Sequence, residues 1–149
     1  MTTTPSQTVG PFFGFAMPFE ADAHAVEPGA EGAVRIEGQV LDGAGEPVPD
    51  ALLEIFDSEQ FARCRTDTEG AFHFTVRRTH HLDVFVFARG LLRHVATRLY
   101  FPDANLSDDP VLQRVEPARR HTLVAVPGEG AMRFDIRLQG EDETVFFQL

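Results

Sequence analysis

Apolar side chains in this chain recur at every second position in short runs broken by turn residues, and that period constrains the fold more than any other feature. Val34, Ile36 and Val40 alternate with Arg35, Glu37 and Gln39, the spacing of a strand with one face buried. Gly38 falls on the apolar face, where a bulge or a close backbone approach is expected. The turn Asp42-Gly43-Ala44-Gly45 leads to a second short strand carrying Leu52, Leu53, Ile55 and Phe56. A further turn, Thr66 to Gly70, precedes Phe72, Phe74 and Val76 alternating with His73 and Thr75. Leu82 to Arg89 is more continuously apolar and reads as a strand covered on both faces. Val95 to Phe101, His121 to Val126, Met132 to Leu138 and Val145 to Phe147 complete the series, and Pro102 to Pro110 is a polar loop. About eight or nine short strands at this spacing predict an all-β fold, a β-sandwich forming one domain over 33–149. Residues 1–32, dense in Pro, Gly and Thr, predict an irregular N-terminal arm.

Composition narrows function mainly by exclusion. The formal net charge is -10, a field that repels phosphate backbones and anionic lipid, so neither nucleic acid nor a membrane surface is expected as a partner. All thirteen basic residues are arginine, which removes any Schiff-base or P-loop lysine chemistry. Cys64 is the single cysteine, so no internal disulfide is available and the fold does not call for an oxidising compartment. No secretory leader or membrane-length apolar run is apparent, and a cytoplasmic location is expected. The fourteen Phe, against one Tyr and no Trp, are expected to fill a wide core between sheets. Phe12, Phe13, Phe15 and Phe19 sit instead in the arm, where they call for a surface of the domain or of a partner chain.

The chemistry-bearing residues are few. His81-Leu82-Asp83 places a histidine and a carboxylate two apart on a strand, hence on one face. With His121 they have the composition of a two-histidine, one-carboxylate iron(II) site, and Arg133 could hold a 2-oxoacid carboxylate. His80 is expected to point away from that face, and His73 to lie on the solvent side of its strand. Acidic pairs such as Asp108-Asp109 read as solvated surface. Residue types and spacing alone do not give a function, and both a non-catalytic binding or assembly module and an independent iron(II) oxygenase stay open.

Several segments taken together resemble the intradiol ring-cleaving dioxygenases. They are Thr4-Pro5-Ser6-Gln7-Thr8-Val9-Gly10-Pro11-Phe12, Gly38 to Gly43, Phe87-Ala88-Arg89-Gly90 running on to Thr97-Arg98-Leu99-Tyr100-Phe101, and Arg133 to Glu141 followed by Glu143 to Phe147. Their order along nearly the whole chain is the family's order. The resemblance implies a β-sandwich and an enzyme built from paired alpha and beta chains, in which ferric iron is held by two tyrosinates and two histidines of the beta chain. One tyrosine cannot supply two tyrosinates, so the resemblance points to an alpha chain that binds no metal, with His81 and Asp83 as remnants of an ancestral site. It implies a beta subunit as partner and a small anionic aromatic substrate, a dihydroxybenzoate. On this reading no catalytic residue lies in this chain, and Thr8, Pro11 and Arg89 line part of a shared substrate pocket. Arg89 would supply a permanent cation for the substrate carboxylate; the simpler alternative is a strand-end ion pair with an acid such as Asp103. The connection from Asp57 to Cys64 and the segment between Val76 and His81 are shorter than the resemblance leads one to expect.

Overall fold

The computed structural model describes residues 17–19 and 21–148. Nine strands are found among them: β1 (Ala33–Leu41), β2 (Leu52–Phe56), β3 (Phe61–Arg65), β4 (Ala71–Arg77), β5 (His81–Phe87), β6 (Val95–Tyr100), β7 (Val126–Pro127), β8 (Met132–Arg133) and β9 (Ile136–Arg137). They form two sheets. One runs β4-β1-β8-β7, with β9 also pairing β1, and the other runs β3-β2-β5-β6. The expected all-β sandwich is therefore present. No helix among the described residues is long and apolar enough to cross a membrane.

Period-two alternation does what the sequence requires of it. Ile36 and Val40 of β1, Phe72, Phe74 and Val76 of β4, Leu53 and Ile55 of β2, and Leu82, Val84 and Val86 of β5 meet in one core between the sheets. β5 differs from the expectation of a strand covered on both faces. Its other face, Phe85 and Phe87, is only half-buried, and aromatic neighbours rather than a third layer cover it. Phe85 packs edge-on to Phe56 at 4.9 Å, and the His94 ring lies 4.6 Å from Phe85 and 5.3 Å from Phe87. The phenylalanines are thus less internal than expected. Phe72, Phe74, Phe101 and Phe134 are buried, whereas Phe19 and Phe61 are exposed. Phe12, Phe13 and Phe15 lie outside the described residues.

Gly38 is explained by a close approach. A Cβ at this position would overlap the carbonyl oxygen of Phe134, where the chain between β8 and β9 crosses β1 and the Phe134 N–H donates to the Glu37 carbonyl at 2.9 Å. Only glycine leaves that space. The last segment ties the sheets together: the Thr97 hydroxyl donates to Val145 O at 2.7 Å, and the Phe147 N–H donates to Ala96 O at 2.8 Å. Val145 to Phe147 is joined by that bridge rather than forming a strand of its own.

The expected strand from His121 to Val126 is largely absent. Pro117–Leu123 is a 3-10 helix, preceded by shorter ones at Leu106–Asp108 and Leu112–Arg114. Pro117 fixes φ at the first turn and lacks only an N–H that would have no partner there. Leu112, Val115 and Leu123 pack with Tyr100 into a second small core. These helices roof the outer face of the β5-β6 pair at one end, and that roof shapes the site below.

Candidate functional site

β5 and β6 run antiparallel, with His81 opposite Tyr100 and Asp83 opposite Arg98. Directly opposed residues share a face, so these four side chains emerge together beneath the 3-10 roof. Asp83 Oδ1 accepts a charge-assisted hydrogen bond from Arg98 Nε at 2.8 Å. Tyr100 is fully buried, and its hydroxyl donates to Asp109 Oδ1 at 2.9 Å. The same oxygen accepts the N–H groups of Val111 at 2.9 Å and Leu112 at 2.7 Å. Asp109 is therefore a buried anchor for the roof, 7% exposed, and not the solvated acid expected from the Asp108-Asp109 pair.

The electrostatics follow from this packing. Burial pushes the Tyr100 phenol up and Arg98 pulls against it, but the Asp109 carboxylate adds to the rise and leaves it at about 12. For Asp109 burial acts upward too, yet the hydrogen bonds from Leu112, Tyr100 and Val111 outweigh it and hold the carboxyl below its ordinary value. His81 is shifted down, by burial first and by the Arg98 charge second, against the opposing pull of Asp83 and Asp109.

His80 departs from the expectation that it faces away. It lies in a bend before β5 rather than in the strand, so strict alternation does not apply. Its Nδ1 is 3.2 Å from His81 Nδ1 and 3.8 Å from Asp109 Oδ2, and its Nε2 is 3.2 Å from the carbonyl oxygen of Asn105. His80, His81 and Asp109 each bring one ligand-type atom within 4.8 Å of the others. The two histidines border a cleft of about 740 Å³ whose wall also includes Phe56, Asp57, Gln60 and Arg78.

The triad His81, Asp83 and His121 is not assembled. Asp83 is engaged by Arg98. His121 sits in the Pro117–Leu123 helix, where its Nδ1 faces Ala118 O at 2.8 Å and its Nε2 faces Asp142 at 3.5 Å. Arg133, the candidate carboxylate holder, is bonded instead to Asp135 at 2.8 Å and to the Gln39 side chain at 3.0 Å. The iron centre implied by the resemblance does not fit these residues either. Its phenolate ligands have no counterpart in a buried, neutral Tyr100 already bonded to Asp109.

Arg89 stands apart from the cleft. It follows the end of β5 in a turn closed by Gly90, which adopts φ +89°, a conformation that side chains other than glycine rarely take. Its guanidinium Nε meets Asp50 Oδ2 at 2.5 Å, and the Arg89 side chain remains 66% exposed. The acid proposed for it, Asp103, pairs with Arg78 at 2.6 Å instead. Thr8 and Pro11 lie outside the described residues.

Comparison with known proteins now bears on this geometry. No family model matches the chain. The protocatechuate 3,4-dioxygenase alpha chain of Burkholderia cepacia is 36% identical over 197 aligned positions that take in the whole of both chains. The protein of the same name from Pseudomonas putida is 34% identical, covering 97% of this chain and 95% of its own. Among solved structures, the dioxygenase domain of a carbohydrate-binding fusion protein from Streptomyces sp. SirexAA-E superposes with a TM-score of 0.63 at 22% identity, covering 93% of this chain and 99% of that one. Catechol 1,2-dioxygenase from Acinetobacter sp. ADP1 gives 0.58 at 20% identity, covering 78% and 56%. These two structural likenesses carry the fold.

Proposed function

The chain belongs to the family of protocatechuate 3,4-dioxygenase alpha chains, and from that membership we propose that it is the non-iron partner of an iron-bearing beta chain. The pair cleaves 3,4-dihydroxybenzoate with dioxygen, between the two hydroxyl-bearing carbons, to 3-carboxy-cis,cis-muconate. The observation that carries this reading is the identity to named alpha chains across the whole length. The state of Tyr100 supports it: the chain's only tyrosine is buried and committed to Asp109, so the ferric ion and the ring-opening chemistry fall to the partner.

In this assignment the contribution of the chain is binding and shape. Arg89, exposed at the end of β5 and already holding one carboxylate at Asp50, is the cation that meets the carboxylate of the aromatic acid at the subunit boundary. A guanidinium suits that task because it stays charged and matches a carboxylate with two parallel donors. Thr8 and Pro11 form the arm's share of the pocket, Thr8 by hydrogen bonding and Pro11 by stiffening the backbone.

The test is iron content and 3,4-dihydroxybenzoate-dependent oxygen uptake, for the full chain alone and co-expressed with a beta chain. Iron and oxygen uptake are expected only in the co-expressed complex. An iron-loaded lone chain that consumes oxygen with this substrate overturns the reading.

A further inference from the structure

We propose that His80, His81 and Asp109 form a binding site for a divalent transition-metal ion, with two imidazole nitrogens and one carboxylate oxygen as ligands and an open position toward the cleft. This site is independent of the function proposed above. Its ligands are also not the set that the resemblance implies for family iron. His81 is the only histidine carried over from that strand, while His80 comes from the bend before it and Asp109 from the 3-10 roof.

Geometry is the first ground. Tetrahedral coordination at zinc–nitrogen bonds of about 2.0–2.1 Å sets ligand atoms roughly 3.3 Å apart. The separations here are 3.2 Å between the two Nδ1 atoms and 3.8 Å from His80 Nδ1 to Asp109 Oδ2. All three ligand atoms fall within 4.8 Å of one another, so an ion can be seated among them once the wider separations close toward that spacing.

The outer contacts are the second ground. A carbonyl oxygen only accepts, so the contact with Asn105 O requires His80 Nε2 to carry the proton. That leaves the Nδ1 lone pair directed at the cluster, the tautomer a metal-bound histidine adopts when a backbone carbonyl orients it. Asp109 is held on its Oδ1 side by Tyr100 and two backbone N–H groups, and this fixes the direction of Oδ2 toward His80. Ligands locked by outer contacts lose little freedom on binding.

The donor set selects the ion. Two imidazoles and one carboxylate suit a divalent ion such as zinc, cobalt(II), nickel or iron(II), whereas ferric iron favours harder phenolate oxygens that this site lacks. His80 and His81 border the 740 Å³ cleft, which gives the ion an entry path and leaves room for water or a small anion as fourth ligand.

The test uses the full-length chain, stripped with a chelator and dialysed against Zn²⁺ alone, with Co²⁺ as the spectroscopic substitute. One zinc per chain is expected, with a visible cobalt absorption of low-symmetry, four- or five-coordinate type. His80→Ala and His81→Ala are each expected to weaken zinc binding at least about tenfold. His24→Ala and His121→Ala, which alter histidines outside the cluster, are expected to bind as the parent does. His80→Gln keeps a side chain of similar length, and far-ultraviolet circular dichroism on every variant separates lost ligands from lost folding. Failure of the parent chain to retain zinc overturns the site, as does unchanged binding in folded His80→Ala or a loss that His121→Ala shares.

Discussion

The two ends of β5 do opposite things with the same kinds of side chain. At its start, His81 stands in a web of groups that bond one another: Tyr100 to Asp109, Arg98 to Asp83, and His80 to Asn105. Arg89, eight residues on and about 26 Å away along an extended strand, pairs with Asp50 and is mostly exposed. The difference lies in what covers each end. Three 3-10 helices fold over the His81 end, so its polar groups must satisfy one another inside the chain. Among the described residues the Arg89 end has no such cover, and its side chain stays 66% exposed. The roofed end holds the chain's structure, and the open end is where we propose that it contributes to a site shared with another subunit.

The sharpest way to break this contrast is Asp109→Ala. It orphans the Tyr100 hydroxyl and two roof N–H groups in a buried setting, which is expected to cost about 3 kcal/mol or more. Urea unfolding, run with a chelator present, should show a lower midpoint with an unchanged slope. Wild-type stability would mean the roof is not held by this carboxylate. Tyr100→Phe removes one of those three donors while keeping the ring, so a loss of about 1–2 kcal/mol is expected.

Tyr100 also offers a direct reading, because it is the only tyrosine and the chain has no tryptophan. Near-ultraviolet absorbance should place its ionisation at about 12 in the folded chain, against about 10 in denaturant. A folded-state value above the unfolded one means stability is fully present below pH 10 and is lost as pH rises from there through 12. Alkaline unfolding that begins in this window, and is displaced in Tyr100→Phe, is the expected result. Titration near 10 in the native chain would show that the end of β6 is not sealed.

How much of this could be read in the sequence depends on whether local or distant residues decide the outcome. β1, β2, β4, β5 and β6 were legible because alternation is local and burial of one face is the same for each residue of the strand. Gly38 was legible for a related reason, since a glycine on an apolar face needs a neighbour close by. Asp109 was not. An acidic pair beside a proline reads as surface, and only the return of 106–123 over Tyr100 buries it. His80 was misread because alternation was extended one residue beyond the strand into a bend. His121 was misplaced because Leu123, Val124 and Ala125 suggest a strand, whereas Pro117 and local i to i+3 bonds set a 3-10 helix. Asp50 escaped notice as the partner of Arg89 because their meeting follows from register: Leu52 pairs with Phe87, and two steps further out on each strand lie Asp50 and Arg89. The sequence alone does not give that register.

At the open end the expected effects fall on binding more than on stability. In the co-expressed complex, Arg89→Ala is expected to raise KM for 3,4-dihydroxybenzoate about tenfold, the loss of one charge-assisted pair of about 1.4 kcal/mol. The unfolding midpoint should move little, since an exposed ion pair contributes about 0–1 kcal/mol. An unchanged KM would leave Arg89 as surface only and move the carboxylate contact elsewhere.

Asp50→Ala is the smallest perturbation and the most discriminating, because it keeps the guanidinium and removes only its in-chain partner. If Asp50 merely occupies Arg89 until substrate arrives, its loss frees the cation, and KM should stay level or fall by about twofold. If Asp50 instead aims the guanidinium, KM should rise toward the Arg89→Ala value and the double variant should add nothing further. The exposure of the Arg89 side chain and the turn at Gly90 favour the first outcome. A guanidinium held by one carboxylate at an open strand end exchanges partners easily. Equal KM increases in both single variants would show that the open end, like the roofed one, works as a unit fixed within the chain.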